Sequence, residues 1–200
     1  MMKRYFLILV MALTAIGMNA EKLEDRYVSK IVSDGMLFFI KPFELPNQGK
    51  GKPAEADITY LIQEDTITLN MSVYHSSILQ TDSISFEGLK HCTVTNFETF
   101  YIDKKGKQYV HRYSCALPYT FWRGLYMSKT PFRVSIYSEG TKLSYGYSDK
   151  KWLSESTWML QILQLIERNK KASKSLLPAK EYNINASKKR VCQLVLTHPL

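Results

Sequence analysis

The chain has 200 residues and carries 27 lysines and arginines against 18 aspartates and glutamates, a formal net charge of +9. Hydrophobic residues make up 45% of it and charged residues 22%, proportions that are typical of a folded chain and argue against wholesale disorder. The length allows one domain or two small ones. The composition therefore predicts a globular protein, but it indicates neither a reaction nor a named ligand.

The first 20 residues have the order of a secretory signal peptide. Lys3 and Arg4 form a basic start, residues 5–17 are largely apolar, and Ala20 is a small residue just before the charged stretch that begins at Glu21. An apolar run of this length rises about 20 Å as a helix, which is less than the ~30 Å hydrocarbon core of a bilayer. We therefore predict cleavage after the alanine and export to the periplasm or the extracellular space.

The excess positive charge is concentrated near the C-terminus. Residues 21–167 carry 17 basic and 17 acidic side chains, whereas residues 168–190 sum to +7. This stretch is either a surface that contacts an anionic membrane or an acidic partner, or a solvated linker. Its single aromatic residue, Tyr182, argues against a nucleic-acid partner. The candidate surface-binding residues are Arg168, Lys170, Lys171, Lys174, Lys188, Lys189 and Arg190.

Alternating apolar and polar residues in the body of the chain predict antiparallel hairpins with one buried face. Within residues 56–74, a turn at Glu64 and Asp65 would place Tyr60 opposite Leu69. The other apolar pairs of this register are Ala56 with Val73, Ile58 with Met71, and Ile62 with Ile67.

Two more hairpins are predicted further along the chain. Within residues 132–147, a turn at Glu139-Gly140 places Ile136 opposite Leu143, and the glycine supplies the positive φ that such a turn needs. Within residues 91–117, a three-residue loop ending at Gly106 places Glu98 opposite Arg112 in a cross-strand ion pair.

Strands are also predicted at 36–42 and 82–87, with a candidate terminal strand at 191–197. The helical spacing of Leu23, Tyr27, Val28 and Ile31 predicts a short helix at the start of the mature chain. A second helix is predicted after an N-cap at Ser154; it is almost wholly apolar from Trp158 to Ile166 and should be buried.

These elements predict a mainly-β (α+β) fold of about eight strands, arranged as a curved sheet, barrel or sandwich, with an N-terminal helix and a buried C-terminal helix. The element order resembles that of lipocalin-type barrels, which bind apolar ligands in a cup, although Met36 and Leu37 follow Gly35 where that family has a glycine-x-tryptophan. We predict a signal peptide over 1–20, one domain over 21–169, and a basic linker over 170–200.

The sequence carries no recognisable catalytic or metal-binding motif. His75, His91, His111 and His198 are too far apart to chelate a metal from one helix or one tight loop. In the predicted register Cys92 and Cys115 point to opposite faces, which disfavours a disulfide between them, and Cys192 makes the number of cysteines odd. We therefore predict no enzymatic activity, no metal and no cofactor.

The connection over residues 119–132 is rich in aromatic side chains. Either it forms a platform for a sugar or a planar ligand, or its rings cap the core at the edge of the sheet. The candidate ligand-binding residues are Tyr119, Phe121, Trp122, Arg123 and Tyr126.

The leading prediction is an exported, non-catalytic binding or interaction module of the cell envelope that holds a small apolar or aromatic ligand. One alternative is a structural or assembly protein that docks to envelope components through sheet edges and the basic segment. Another is a hydrolase whose site is not visible as a motif. A cavity of about 300 Å³ or more lined by aromatic rings would favour a ligand, and an exposed apolar patch over a filled core would favour a partner.

Overall fold

The computed structural model describes residues 22–88 and 90–176. The predicted signal peptide and the predicted strand over 191–197 lie outside these residues. None of the described helices combines the length and the hydrophobicity needed to cross a membrane.

The strands are β1 (Tyr27–Val32), β2 (Gly35–Leu45), β3 (Ala54–Leu61), β4 (Thr66–His75), β5 (Thr81–Glu87), β6 (His91–Val94), β7 (Glu98–Lys105), β8 (Gln108–Pro118), β9 (Arg133–Ser138) and β10 (Thr141–Gly146), and the α-helices are α1 (Tyr119–Met127) and α2 (Asp149–Leu176).

The strands form two antiparallel sheets, which confirms the mainly-β fold. The six-stranded sheet has the order β1-β2-β3-β4-β8-β7, and the four-stranded sheet has the order β10-β9-β5-β6. Within the described residues both orders are linear, so the layout is two sheets and not the single closed barrel of the lipocalin-type arrangement.

The hairpin of β9 and β10 has the predicted register. Ile136 pairs with Leu143 and Val134 with Tyr145. The turn residues Glu139 and Gly140 have φ values of 40° and 79°. Two consecutive positive φ values match the right-handed twist of the flanking strands, so the turn itself fixes this register.

The hairpin of β3 and β4 is shifted by two residues from the predicted register. Ile58 pairs with Leu69 and not with Met71. The strands are joined by the four residues 62–65 and not by a two-residue turn at Glu64-Asp65. None of the residues 62–65 has the positive φ that a two-residue hairpin turn needs, so the connection is longer. A shift of two residues preserves the buried face.

The hairpin of β7 and β8 also differs from the predicted register. The turn consists of Gly106 and Lys107, and Tyr101 faces Arg112 across a bulge at Phe100. Glu98 faces Ser114, so the predicted ion pair between Glu98 and Arg112 is wrong. The positive φ of Gly106, 66°, permits a two-residue turn, which moves every later pair.

The predicted N-terminal helix is not confirmed. Only a 3₁₀ turn forms, over Leu23–Arg26, and the next residues form β1, which pairs with β2 along its whole length. Val28 and Ile31 are β-branched and favour a strand. Ser33 and Asp34 form the turn, and Gly35, at φ 128°, begins β2, so a partner strand lies immediately next in sequence.

The buried C-terminal helix is confirmed, but α2 begins at Asp149, ahead of the predicted N-cap. Ser154 lies inside the helix and its hydroxyl donates to the carbonyl oxygen of Lys151 at 3.0 Å. The helix continues to Leu176, into the stretch predicted to be a linker. The buried apolar residues of its central part are Met159, Ile162, Leu163 and Ile166.

The helix α1 was not foreseen, and it lies where the two sheets meet. The ring of Tyr119 stacks on Tyr60 of β3 with centroids 4.7 Å apart, and Phe121 meets Phe86 of β5 edge-on at 6.5 Å. Helix α1 therefore closes the core with one ring against each sheet. The core aromatic cluster around it consists of Trp122, Tyr126, Phe132, Tyr147 and Trp152.

The two described cysteines lie in different sheets. Cys115, on β8, is a free thiol in the core, and burial raises its pKa to about 12. Cys92, on β6, is fully buried and disulfide-bonded. Because Cys115 is free, the two cysteines are not bonded to each other. This agrees with the predicted register, which put their side chains on opposite faces and so disfavoured a disulfide between them.

Candidate functional site

Four of the five residues predicted to bind a ligand lie in the core. The exposed fractions of Tyr119, Phe121, Trp122 and Tyr126 are 4%, 6%, 1% and 2%. The Trp122 ring packs edge-on against Tyr126, at 5.0 Å between centroids. These rings cap the interior and leave no aromatic face for a ligand in this structure. Arg123, on the same helix, is exposed.

Arg123 instead lines a groove of about 330 Å³ between α1 and α2. Helix α1 contributes Arg123 and Met127, which are four residues apart and share one face. Helix α2 contributes Leu160, Leu163, Gln164, Glu167, Arg168 and Lys171. Steps of three and four residues put these side chains on one continuous stripe, so the helical period presents apolar and basic groups to the same groove.

The rim of the groove is positively charged. Arg123, Arg168 and Lys171 are exposed, and none of them forms an ion pair with the described residues. Glu167 is the only acidic residue among the lining side chains, so three positive charges and one negative charge leave a net +2. Unpaired cations around an apolar floor make an arrangement that can receive an anion.

The Lys170 side chain contacts core tyrosines, unlike the neighbouring Arg168 and Lys171, which line the groove. Its Nζ donates to the Tyr60 hydroxyl at 3.3 Å and lies 5.4 Å from the centre of the Tyr119 ring. It therefore ties the end of α2 to the stacked tyrosines of β3 and α1. The structure brings Arg168 and Lys171 of the predicted basic surface to the groove, while the side chains of Lys174, Lys188, Lys189 and Arg190 lie outside what it describes.

The tyrosines beneath the groove are held in the neutral form. Burial, reinforced by Glu167, Asp65 and Glu64, raises the pKa of Tyr60 to about 12. Burial is also the main cause of the raised pKa of Tyr119, followed by the nearby Glu167 carboxylate. The Glu167 carboxylate therefore lies close to the buried Tyr119 hydroxyl. Glu167 thus faces both the core and the groove.

A larger cavity of about 520 Å³ lies near the ends of β5, β9 and β10. Its charged lining residues are Glu87, Arg133 and Asp149. The two aromatic side chains that border it, Phe132 and Tyr147, are 1% and 7% exposed and offer no ring face. This cavity therefore lacks the aromatic lining that a planar ligand would need.

The sequence predicted the hairpin that contains β7, but not that β7 is a fully exposed edge strand. All eight of its residues are exposed, including Phe100 at 49%, Tyr101 at 45% and Ile102 at 42%. It ends the order of the six-stranded sheet, so no described strand pairs with its outer side. Three consecutive large apolar residues lie between Thr99 and Asp103 and break the alternation that is typical of a half-buried strand. This break was the sequence signal that β7 differs from the other strands.

Comparison with known proteins adds no functional information. No protein-family model, curated protein or solved structure matches the chain. In the described ranges, no group of three or more histidine, cysteine, aspartate and glutamate side chains is arranged to hold a metal ion.

Proposed function

We propose that the protein is an exported, non-catalytic interaction module that binds an anionic surface of the cell envelope through the face formed by α1 and α2. The observation that carries this proposal is the convergence of Arg123, Arg168 and Lys171 on one groove, without an ion pair among the described residues. The balanced charge of residues 21–167 supports the proposal. Because these residues have no net charge, the basic end of the molecule dominates its electrostatic attraction to an anionic surface.

The attraction expected from these three side chains is moderate. Each basic residue near an anionic membrane contributes about 1 kcal/mol, so three together change the partition coefficient by about a hundredfold. Salt screens this attraction, because the groups are exposed to solvent.

Co-sedimentation with vesicles tests this function. We expect binding to vesicles that contain phosphatidylglycerol, weaker binding at high salt, and little binding to phosphatidylcholine alone. The double variant Arg123→Glu/Arg168→Glu should lose most of the binding. The control Lys30→Glu changes the charge of an exposed residue on β1 that does not line the groove. Equal binding to neutral vesicles, or equal loss in the control, overturns the proposal.

The edge strand supports a second function, docking of an envelope protein by strand addition at β7. An exposed edge offers unpaired backbone groups to another chain, and the three exposed apolar side chains of β7 add area to be covered. Strand addition should resist high salt, unlike binding through the groove. We expect Ile102→Lys to release the protein from the envelope fraction in a high-salt wash. Retention equal to that of the unaltered protein rejects this function.

A further inference from the structure

We propose that the groove between α1 and α2 is a specific site for a lipid phosphate monoester, with the phosphate at the basic rim and the first part of the apolar chain on the groove floor. The proposal rests on the proposed function, because the same face meets the anionic surface. It goes further by naming the headgroup chemistry that the groove selects.

The charge of the rim matches a dianion. Arg123, Arg168 and Lys171 against Glu167 leave a net +2 at the groove. A phosphate monoester carries a charge of about −1.5 to −2 at pH 7, whereas a phosphodiester or a carboxylate carries a single negative charge. Two of the three cations are guanidinium groups, whose planar donor pairs suit bidentate binding of phosphate oxygens.

The apolar side of the groove indicates a ligand that is more than a free phosphate. Met127 is 56% exposed and Leu160 is half-buried, and both side chains line the groove. Leu163, 2% exposed, is the most buried of the lining residues. Methionine is flexible and adapts to varied apolar shapes. A volume of about 330 Å³ fits a headgroup and a short length of chain, while the remaining chain stays in the bilayer.

The charge of Glu167 provides a test of whether the groove binds an anion. Its carboxylate lines the groove and lowers the net positive charge there. If the rim binds a dianion, Glu167→Gln should strengthen binding, because it removes a repulsive charge and leaves every cation in place. The variant alters the volume of the side chain very little.

Titration calorimetry with a short-chain phosphatidic acid below its micelle concentration tests the site in solution. We expect one ligand per chain, with affinity lowered about tenfold by Arg123→Ala or by Arg168→Ala and raised by Glu167→Gln. Lys30→Ala is the matched control, and circular dichroism reports whether each variant is folded. Binding should weaken below about pH 6, where the phosphate takes up its second proton.

Two comparisons separate this proposal from its alternatives. Glycerol 3-phosphate carries the phosphate without the chain and should bind more weakly; equal affinity overturns the lipid assignment. Vesicles of phosphatidic acid and of phosphatidylglycerol, matched in surface charge, should differ in binding. Equal binding overturns the specific site but leaves the proposed function standing, whereas no binding to either vesicle overturns the proposed function itself.

Discussion

Asp57 on β3 and Arg112 on β8 form an ion pair that crosses the intervening strand β4, with 2.5 Å between Oδ2 and Nη2. Asn70 on β4 donates to the other Asp57 oxygen at 2.8 Å, and Arg112 also donates to the Ser72 hydroxyl at 2.9 Å. The Asp57 side chain is 5% exposed and that of Arg112 is 23% exposed. Three strands of the six-stranded sheet are thus joined by one polar network.

The first prediction concerns this pair. Arg112→Met should lower the free energy of unfolding by about 3 kcal/mol, because it leaves the Asp57 carboxylate in a nearly dry site without its charged partner. The double variant Asp57→Leu/Arg112→Met should be less destabilised than this single variant, since it leaves no uncompensated charge. Urea denaturation measures both. The single variant Asp57→Leu completes the cycle, and a double variant destabilised by the sum of the two single changes would show that the pair is not coupled.

The second prediction is a loss of stability in mild acid that depends on His111. This residue is fully buried on β8, and its Nε2 lies 3.3 Å from the Ser77 carbonyl oxygen. Burial lowers its pKa from 6.5; the Ser77 carbonyl opposes the shift and the nearby His75 adds to it. The unfolded chain therefore binds the proton more readily than the folded chain, so the free energy of unfolding should fall as the pH drops below about 6.5, until the folded-state pKa is passed.

Denaturation at a series of pH values checks the role of His111. His111→Phe should remove most of the acid-dependent loss, since the residue no longer titrates. His91→Gln changes an exposed histidine and serves as the control. If the unaltered protein and His111→Phe lose stability in parallel, another group is responsible.

The hairpins and the groove show how much of the structure could be predicted from the sequence. Alternation of apolar and polar residues is a local property, so the strands and their buried faces could be predicted from it. The register depends on turn geometry, and Glu139-Gly140 specifies its turn, whereas Glu64-Asp65 does not. The groove could not be predicted, because Arg123 and Arg168 are far apart in the sequence and meet only through the packing of α1 against α2.

The third prediction separates the core from the binding face. Trp122→Ala should lower the free energy of unfolding by about 3 to 5 kcal/mol, because it leaves a cavity among Tyr126 and Phe132. The folded fraction should still bind anionic vesicles as the unaltered protein does. Met127→Ala should have the opposite profile, with little effect on stability, since Met127 is 56% exposed, and weaker binding of short-chain phosphatidic acid.

The fourth prediction uses the reactivity of the cysteines. Cys115 is buried and its pKa is raised to about 12, so a thiol reagent should not modify it in the native protein at neutral pH. It should react once the chain is denatured without reductant, whereas Cys92 should require reduction as well, because it is disulfide-bonded. Mass spectrometry of peptides labelled before and after reduction measures this order. Labelling of Cys92 in the denatured, unreduced protein would contradict it, and rapid native labelling of Cys115 would show that the core around β8 opens readily.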